Sequence, residues 1–123
     1  MTADGGDTIL AEVISLTTLN DAATVENPPG IFRTTLSYGE ESMLCHFKMT
    51  KGSKIPLHNH PAVQNGYVVS GKIRFNRGQT GETFVAEAGS AYFFISMEYH
   101  GAEVLEEAEV IEVFSPMRPE YAP

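Results

Sequence analysis

The sequence predicts an all-β protein, either a sandwich or a barrel of many short strands, with almost no helix. Its apolar segments are short runs rich in β-branched and aromatic residues, and several alternate between apolar and polar positions. Turn signals separate these runs at regular intervals. The prolines fall at strand ends or in loops, where a missing N–H does least harm: Pro28, Pro29, Pro56, Pro61 and Pro116.

Six segments carry this strand pattern. They are residues 31–38, 42–50, 54–60, 66–77, 83–95 and 108–116. Within the fourth segment, Ser70-Gly71 predicts the turn of a hairpin. The length of 123 residues suits a single domain with a core at about 30–116. Residues 1–8 and 119–123 are expected to be loosely held tails.

The composition excludes several kinds of partner. Lys and Arg total 8 against 16 acidic residues, so the formal net charge is −8 and the isoelectric point is near 4.8. A basic footprint for nucleic acid or anionic lipid is therefore absent, and an anionic substrate would need a local cationic clamp. Cys45 is the only cysteine, which excludes an internal disulfide and suggests a reducing compartment. Without a secretory leader or a long apolar run, we expect a soluble, cytoplasmic protein.

Two histidines one residue apart raise the question of a metal site. If His58 and His60 lie on one strand, they face the same way and could share a cation. Gln64 follows after the Pro61 bend, and His100 at a later strand start could supply a third imidazole. Paired histidines are also common as hydrogen-bonded surface or core residues. The pair alone leaves both interpretations open.

Other polar and aromatic positions are ambiguous or structural. Glu112 lies in an apolar strand and shares a face with Phe114, but periodicity does not say whether that face is buried. His46 is expected to be a packing or dimer-surface histidine. The run from Tyr92 to Phe94 is expected to be barrel core with one ring turned outward, without a functional role.

The spacing around the histidine pair resembles the first motif of the cupins, G-x5-H-x-H-x3,4-E-x6-G. Here it reads Gly52-x5-His58-x-His60-x3-Gln64-x6-Gly71, with Gln64 replacing Glu. The second motif, G-x5-P-x-G-x2-H-x3-N, is matched more loosely. Gly89 and His100 are in register, while other residues stand at its Pro, Gly and Asn positions: Ile95, Met97 and Val104.

This resemblance covers roughly residues 30–116 and implies a cupin-type antiparallel β-barrel, also called a double-stranded β-helix. It implies a divalent metal ion inside the wider end, held by His58, His60, Gln64 and His100. Zn, Ni, Fe, Mn or Cu would suit such ligands. Three imidazoles and an amide are all neutral, so the metal would keep its full charge and hold an anionic oxygen well.

Two stretches resemble the KdgF-type cupins, which linearise unsaturated uronates to 5-keto-4-deoxyuronates. They are HNHPAVQNGYVVSG (58–71) and EVFSPMRPEY (112–121). The resemblance implies that Glu112, Phe114 and Arg118 line the pocket beside the metal, with Glu112 replacing a family Asp. Glu112 would then transfer a proton, Phe114 would shape the sugar face, and Arg118 would clamp the substrate carboxylate. Arg118 could equally be a surface residue on the C-terminal tail.

Three functions remain open at this point. The first is a uronate-processing enzyme with a small anionic substrate. The second is a metal-dependent dioxygenase of the cupin class, and the third is a non-catalytic ligand-binding cupin. Neither nucleic acid nor a membrane is expected as a partner. A homodimer formed by strand exchange or through sheet edges is expected for a barrel of this size.

Overall fold

A computed structural model describes residues 12–123, and it is all-β as predicted. The eight strands are β1 Thr24–Glu26, β2 Ile31–Tyr38, β3 Met43–Met49, β4 Lys54–His58, β5 Val63–Arg77, β6 Glu82–Glu87, β7 Ala91–Phe94 and β8 His100–Ser115. Within the described residues there is no α-helix, only a short 3-10 turn at Pro119–Tyr121. No helix in this part of the chain is long and apolar enough to cross a membrane.

The two longest strands, β5 and β8, organise the antiparallel barrel. They pair with each other along almost their whole length. The other edge of β8 pairs with β4 in its first half and with β3 in its second half. The other edge of β5 pairs with β7 and then with β6. Because each long strand is shared in this way, the sheet curls around one core.

The hairpin expected at Ser70-Gly71 is wrong. β5 runs through this point as one strand of 15 residues, and its pairing with β8 only shifts register there. Gly71 has a φ of +90°, and a Cβ at this position would overlap the backbone of Glu107 and Ala108. The glycine therefore marks a close backbone approach at a bulge, which has the same local signature as a turn.

The C-terminal tail is also held more firmly than expected. The Thr35 hydroxyl donates a hydrogen bond of 2.7 Å to the backbone carbonyl of Tyr121. The Tyr121 ring packs edge-on against Phe114, with 5.4 Å between the ring centroids. This contact places residues 117–121 beside the barrel interior. The predicted N-terminal tail, residues 1–8, lies outside the described residues.

Candidate metal centre

Three histidines from two distant parts of the chain converge at one end of the barrel. His58 ends β4 and lies opposite His100, which begins β8. His60 lies in the following loop and not on the strand. The prediction that strand alternation makes it face the same way as His58 is therefore wrong. The His60 ring nevertheless lies 5.4 Å from His58 and 4.9 Å from His100, measured between centroids. The ligand atoms of the three residues all lie within 4.8 Å of one another.

Backbone carbonyls set the tautomer of each ring. Nδ1 of His58 lies 2.8 Å from the carbonyl of Pro56, and Nδ1 of His60 lies 2.8 Å from that of Ala62. Nδ1 of His100 lies 2.9 Å from a third carbonyl. Since a carbonyl oxygen only accepts, each Nδ1 carries the hydrogen, and each neutral ring presents a lone pair at Nε2.

Burial disfavours the protonated form of two of these rings. It lowers the pKa of His100 to about 4, although the hydrogen bond to the Glu98 carbonyl opposes this shift, and the Arg118 guanidinium adds to it. Burial also lowers the pKa of His60, with a further contribution from the Arg118 guanidinium. A metal ion binds only the neutral form of imidazole, so this environment favours a binding-competent state.

Gln64 adds a fourth lone pair to the cluster. Its Oε1 lies 3.2 Å from Nε2 of His60 and 3.0 Å from Nε2 of His100. Its amide nitrogen is directed the other way and donates a hydrogen bond of 2.7 Å to Oε2 of Glu112. With both ring hydrogens on Nδ1, no hydrogen lies between Oε1 and the imidazoles. A cation would satisfy these converging acceptors, so the residues present fit a metal ion.

Glu112 faces the interior, which answers the question left open by the strand periodicity. Its side chain is 3 % exposed, and its Oε2 accepts hydrogen bonds from Gln64 and from the Tyr92 hydroxyl at 2.5 Å. Burial raises the pKa of the Glu112 carboxyl, and the two donors partly offset this rise. Glu112 is therefore a buried acid that a single amide, that of Gln64, links to the histidine cluster.

Phe114 and Arg118 lie beside this acid. The Phe114 ring is fully buried, with its centroid 6.0 Å from that of His60. The Arg118 side chain is only 12 % exposed and stacks at 4.0 Å over the Tyr121 ring. Its Nε and Nη2 donate to the Glu120 carboxylate at 3.2 and 3.0 Å. Arg118 is therefore held against the barrel interior and is not a free surface residue.

The predicted site residues surround one cavity. All of them except His60 line a space of about 490 Å³, including its open mouth. The remaining lining is largely apolar. Its apolar members are Pro28, Ile31, Phe47, Met49, Ile55, Phe75 and Ala102, and Asn27, Gly101 and Tyr121 complete it.

Two positions outside the predicted set behave differently from each other. His46 is buried on the other side of its strand and lies 2.6 Å from the Glu109 carboxylate. It takes no part in the cluster. Tyr92 is a core residue as expected, and Phe93 is the ring turned outward. The sequence did not predict the hydrogen bond from Tyr92 to Glu112. Alternation shows which face of a strand a tyrosine occupies, but not which residue its hydroxyl contacts.

Met97 locks the loop before His100 in an uncommon backbone conformation. Its φ is +66°, in the left-handed region that favours glycine, and the second cupin motif carries glycine here. The Met97 N–H donates to the His60 carbonyl at 2.9 Å, and the Asn59 side chain donates to the Met97 carbonyl at 3.1 Å. These bonds tie the loop that carries His60 to the loop that leads into His100.

Met97→Gly is therefore expected to raise the free energy of unfolding by about 0.5–1 kcal/mol. Glycine removes a left-handed backbone cost of about 1–2 kcal/mol but adds about 0.5–1 kcal/mol of chain entropy. Met97→Ala is the matched control, since it truncates the same exposed side chain and keeps the strained φ. Denaturant titration of the metal-free proteins measures the difference in free energy of unfolding between the two variants. Equal stability would contradict the claim that Met97 is in a strained conformation.

Comparison with known proteins identifies the family. A family model described as "Cupin domain" matches residues 45–114, more than half of the chain. The chain belongs to the cupin family. The match includes all of the clustered side chains and ends at Phe114, before Arg118.

Individual cupins extend the similarity over more of the chain. The pectin degradation protein KdgF of Dickeya dadantii (strain 3937) is 32 % identical over 94 residues, or 75 % of this chain and 84 % of that protein. The structure of KdgF from Halomonas sp. superposes with a TM-score of 0.79 at 28 % identity, covering 88 % of this chain and 98 % of that chain. An RmlC-like cupin from Shewanella frigidimarina NCIMB 400 gives a TM-score of 0.81 at 26 % identity, covering 89 % and 96 %.

Proposed function

We propose that this cupin is a metal-dependent enzyme that opens the ring of 4,5-unsaturated uronates and yields 5-keto-4-deoxyuronates. The observation that carries the proposal is Glu112. It is a buried carboxylate linked through Gln64 to the histidine cluster, and it lines the same cavity. The similarity to two KdgF proteins supports the substrate class, since one of them is described as a pectin degradation protein.

His58, His60, His100 and Gln64 would hold the metal through three Nε2 atoms and one Oε1 atom. When bound, a divalent ion supplies Lewis-acid polarisation and attracts an anionic oxygen. Since the four ligands are neutral, none of that charge is offset within the cluster. The donor set suits Zn, Ni, Fe, Mn or Cu.

The charges near the cavity suit an anionic substrate in spite of the acidic protein. Arg118 and Arg33 both stack on the Tyr121 ring, each with its guanidinium carbon 4.0 Å from the centroid. Arg33 is buried, and its Nε has no hydrogen-bond partner within the described residues. In the proposed complex, Arg118 turns from Glu120 to clamp the uronate carboxylate, and Phe114 packs against the sugar.

Ring opening of the unsaturated sugar is an isomerisation. The anomeric hydroxyl loses a proton, the bond between the ring oxygen and the anomeric carbon breaks, and carbon 4 gains a proton as the enol becomes a ketone. Glu112 is the group that transfers protons in this scheme, since it can accept one and donate one. The reaction therefore needs no oxidant.

The absence of any oxidant in this reaction provides the test. We expect the metal-loaded protein to convert an unsaturated galacturonate, made with a polysaccharide lyase, to the open-chain keto form at the same rate under argon and in air. Removal of the metal with a chelator should abolish the conversion, and NMR follows both forms. Turnover that requires oxygen would instead identify a dioxygenase. Binding of the sugar without conversion would identify a ligand-binding cupin.

Gln64→Glu tests the charge assigned to the centre. The new carboxylate is expected to tighten metal binding and to weaken uronate binding by about tenfold, because it offsets part of the metal's charge. It also places an acceptor against Oε2 of Glu112, where the amide now donates. We therefore expect the metal-free variant to lose about 1–3 kcal/mol of stability.

The double variant Gln64→Glu/Glu112→Gln is the matched control for that loss. It restores one donor and one acceptor between positions 64 and 112 with the direction reversed, while the Tyr92 hydroxyl must then accept instead of donate. Its metal-free stability should therefore recover part of the loss. Calorimetry of metal and uronate binding, together with denaturant titration, measures the three effects. Parent-like values for Gln64→Glu in all three would remove Gln64 from the centre.

A further inference from the structure

Tyr92 reaches Glu112 across an intervening strand. The register places Gly66 of β5 directly between Tyr92 of β7 and Glu112 of β8. A Cβ at Gly66 would overlap the ring and the hydroxyl of Tyr92. Because Gly66 has no side chain, the Tyr92 ring can lie over β5 and its hydroxyl can reach the Glu112 carboxylate.

The two hydrogen bonds that Glu112 accepts fix the orientation of its carboxylate. The Tyr92 hydroxyl and the Gln64 amide both donate to the same oxygen, Oε2, at 2.5 and 2.7 Å. Hydrogen bonds to an ionised carboxylate are strong, so this pair fixes the plane of the group. Neither donor uses Oε1, so that oxygen keeps its capacity to accept a further hydrogen bond.

The same bonds set the direction of the Gln64 amide. Because Oε2 of Glu112 accepts from the amide nitrogen, Oε1 of Gln64 must face the histidines. A chain of contacts thus runs from the Tyr92 hydroxyl through Glu112 and Gln64 to His60 and His100. Tyr92 is buried among aromatic rings and is not among the residues that line the cavity.

We propose that Tyr92 is a positioning residue that orients both the Glu112 carboxylate and the Gln64 amide. Glycine is required at position 66 because any larger residue would overlap the Tyr92 ring. The effect of Tyr92 on turnover rests on the proposed function, whereas its effect on the metal ligands does not. Outer hydrogen-bond partners of metal ligands typically change metal affinity or activity by about 10–100-fold.

Tyr92→Phe removes the hydroxyl and keeps the ring that packs on Phe75 and Phe94. We expect metal affinity, measured by competition with a chromophoric chelator, to fall about tenfold. On unsaturated galacturonate, kcat should fall about tenfold with KM changed less than twofold, because the substrate contacts remain. Tyr38→Phe is the control: Tyr38 has the same low residue exposure as Tyr92, but its hydroxyl bonds to the exposed Glu12, which lies away from the cavity lining.

The outcomes separate the two proposals. Parent-like metal affinity and parent-like kcat in Tyr92→Phe would overturn the positioning role, as would an equal loss in Tyr38→Phe. If the parent does not convert uronates, the proposed function fails while the metal-affinity measurement still tests Tyr92.

A second set of variants tests the clearance at Gly66. Gly66→Ala should weaken metal binding at least as much as Tyr92→Phe, because the new methyl displaces the ring. In a Tyr92→Ala background the same Gly66→Ala change should have little further effect, since the overlapping ring is gone. Additive losses in this cycle would contradict the clearance.

Discussion

Glu112→Gln is expected to lower kcat on unsaturated galacturonate by about a hundredfold or more, the usual scale for removing a general acid or base. The amide keeps the shape of the side chain, and its oxygen can still accept from Gln64 and Tyr92, so fold and metal content should persist. The variant loses only the ability to accept and release a proton. NMR of the open-chain product measures the rate, and elemental analysis checks the metal.

Arg118→Ala is the comparison that separates binding from chemistry. A clamp that holds the carboxylate equally in the ground and transition states contributes uniform binding, so this variant should raise KM and change kcat little. Its packing on Phe114 and Tyr121 is also lost, so a denaturation curve must accompany the kinetics. Unchanged turnover in Glu112→Gln would remove the proton-transfer role, whatever Arg118→Ala does.

His58→Ala, His60→Ala and His100→Ala are each expected to lose most of the bound metal. Each change removes one Nε2 lone pair from a set whose members lie within 4.8 Å of one another. Gln64→Ala should lose less, because water can replace a weak amide ligand. Elemental analysis of the purified proteins measures the metal-to-protein ratio.

His46→Ala is the matched control for these variants. His46 is also buried, but its partner is Glu109 and it lies outside the cluster. We expect it to keep full metal content and to lose stability instead, because Glu109 then lacks its partner. Full occupancy in His58→Ala, or metal loss in His46→Ala, would contradict the ligand assignment.

The cupin barrel and the clustering of histidines could be predicted because their signals are local in sequence. Alternating strands and turn residues identify an all-β chain, and the spacing from Gly52 to Gly71 resembles a motif whose family is now shown. The convergence of His58, His60 and His100 followed even though His60 lies in a loop. Hydrogen bonds between loops, such as the one from Met97 to His60, do the orienting that strand alternation was expected to do.

The remaining features depend on strands that are distant in sequence. The burial of Glu112 follows from the pairing of β8 with β3 and β5, and its carboxylate is satisfied by Gln64 and Tyr92, which lie on two other strands. Glycine carries an ambiguous signal for the same reason. Gly71 was interpreted as a turn, yet it permits a close approach to β8, and Gly66 leaves room for the Tyr92 ring. The role of either glycine can be assigned only when the pairing of the strands is known.

Anomalous diffraction from crystals of the metal-loaded protein, collected on both sides of the metal's absorption edge, tests the proposed centre most directly. We expect one peak per chain, at the point where the Nε2 atoms of His58, His60 and His100 meet Oε1 of Gln64. A peak elsewhere, for example between His46 and Glu109, or a peak beyond reach of the Gln64 oxygen, would contradict the centre described for this cupin.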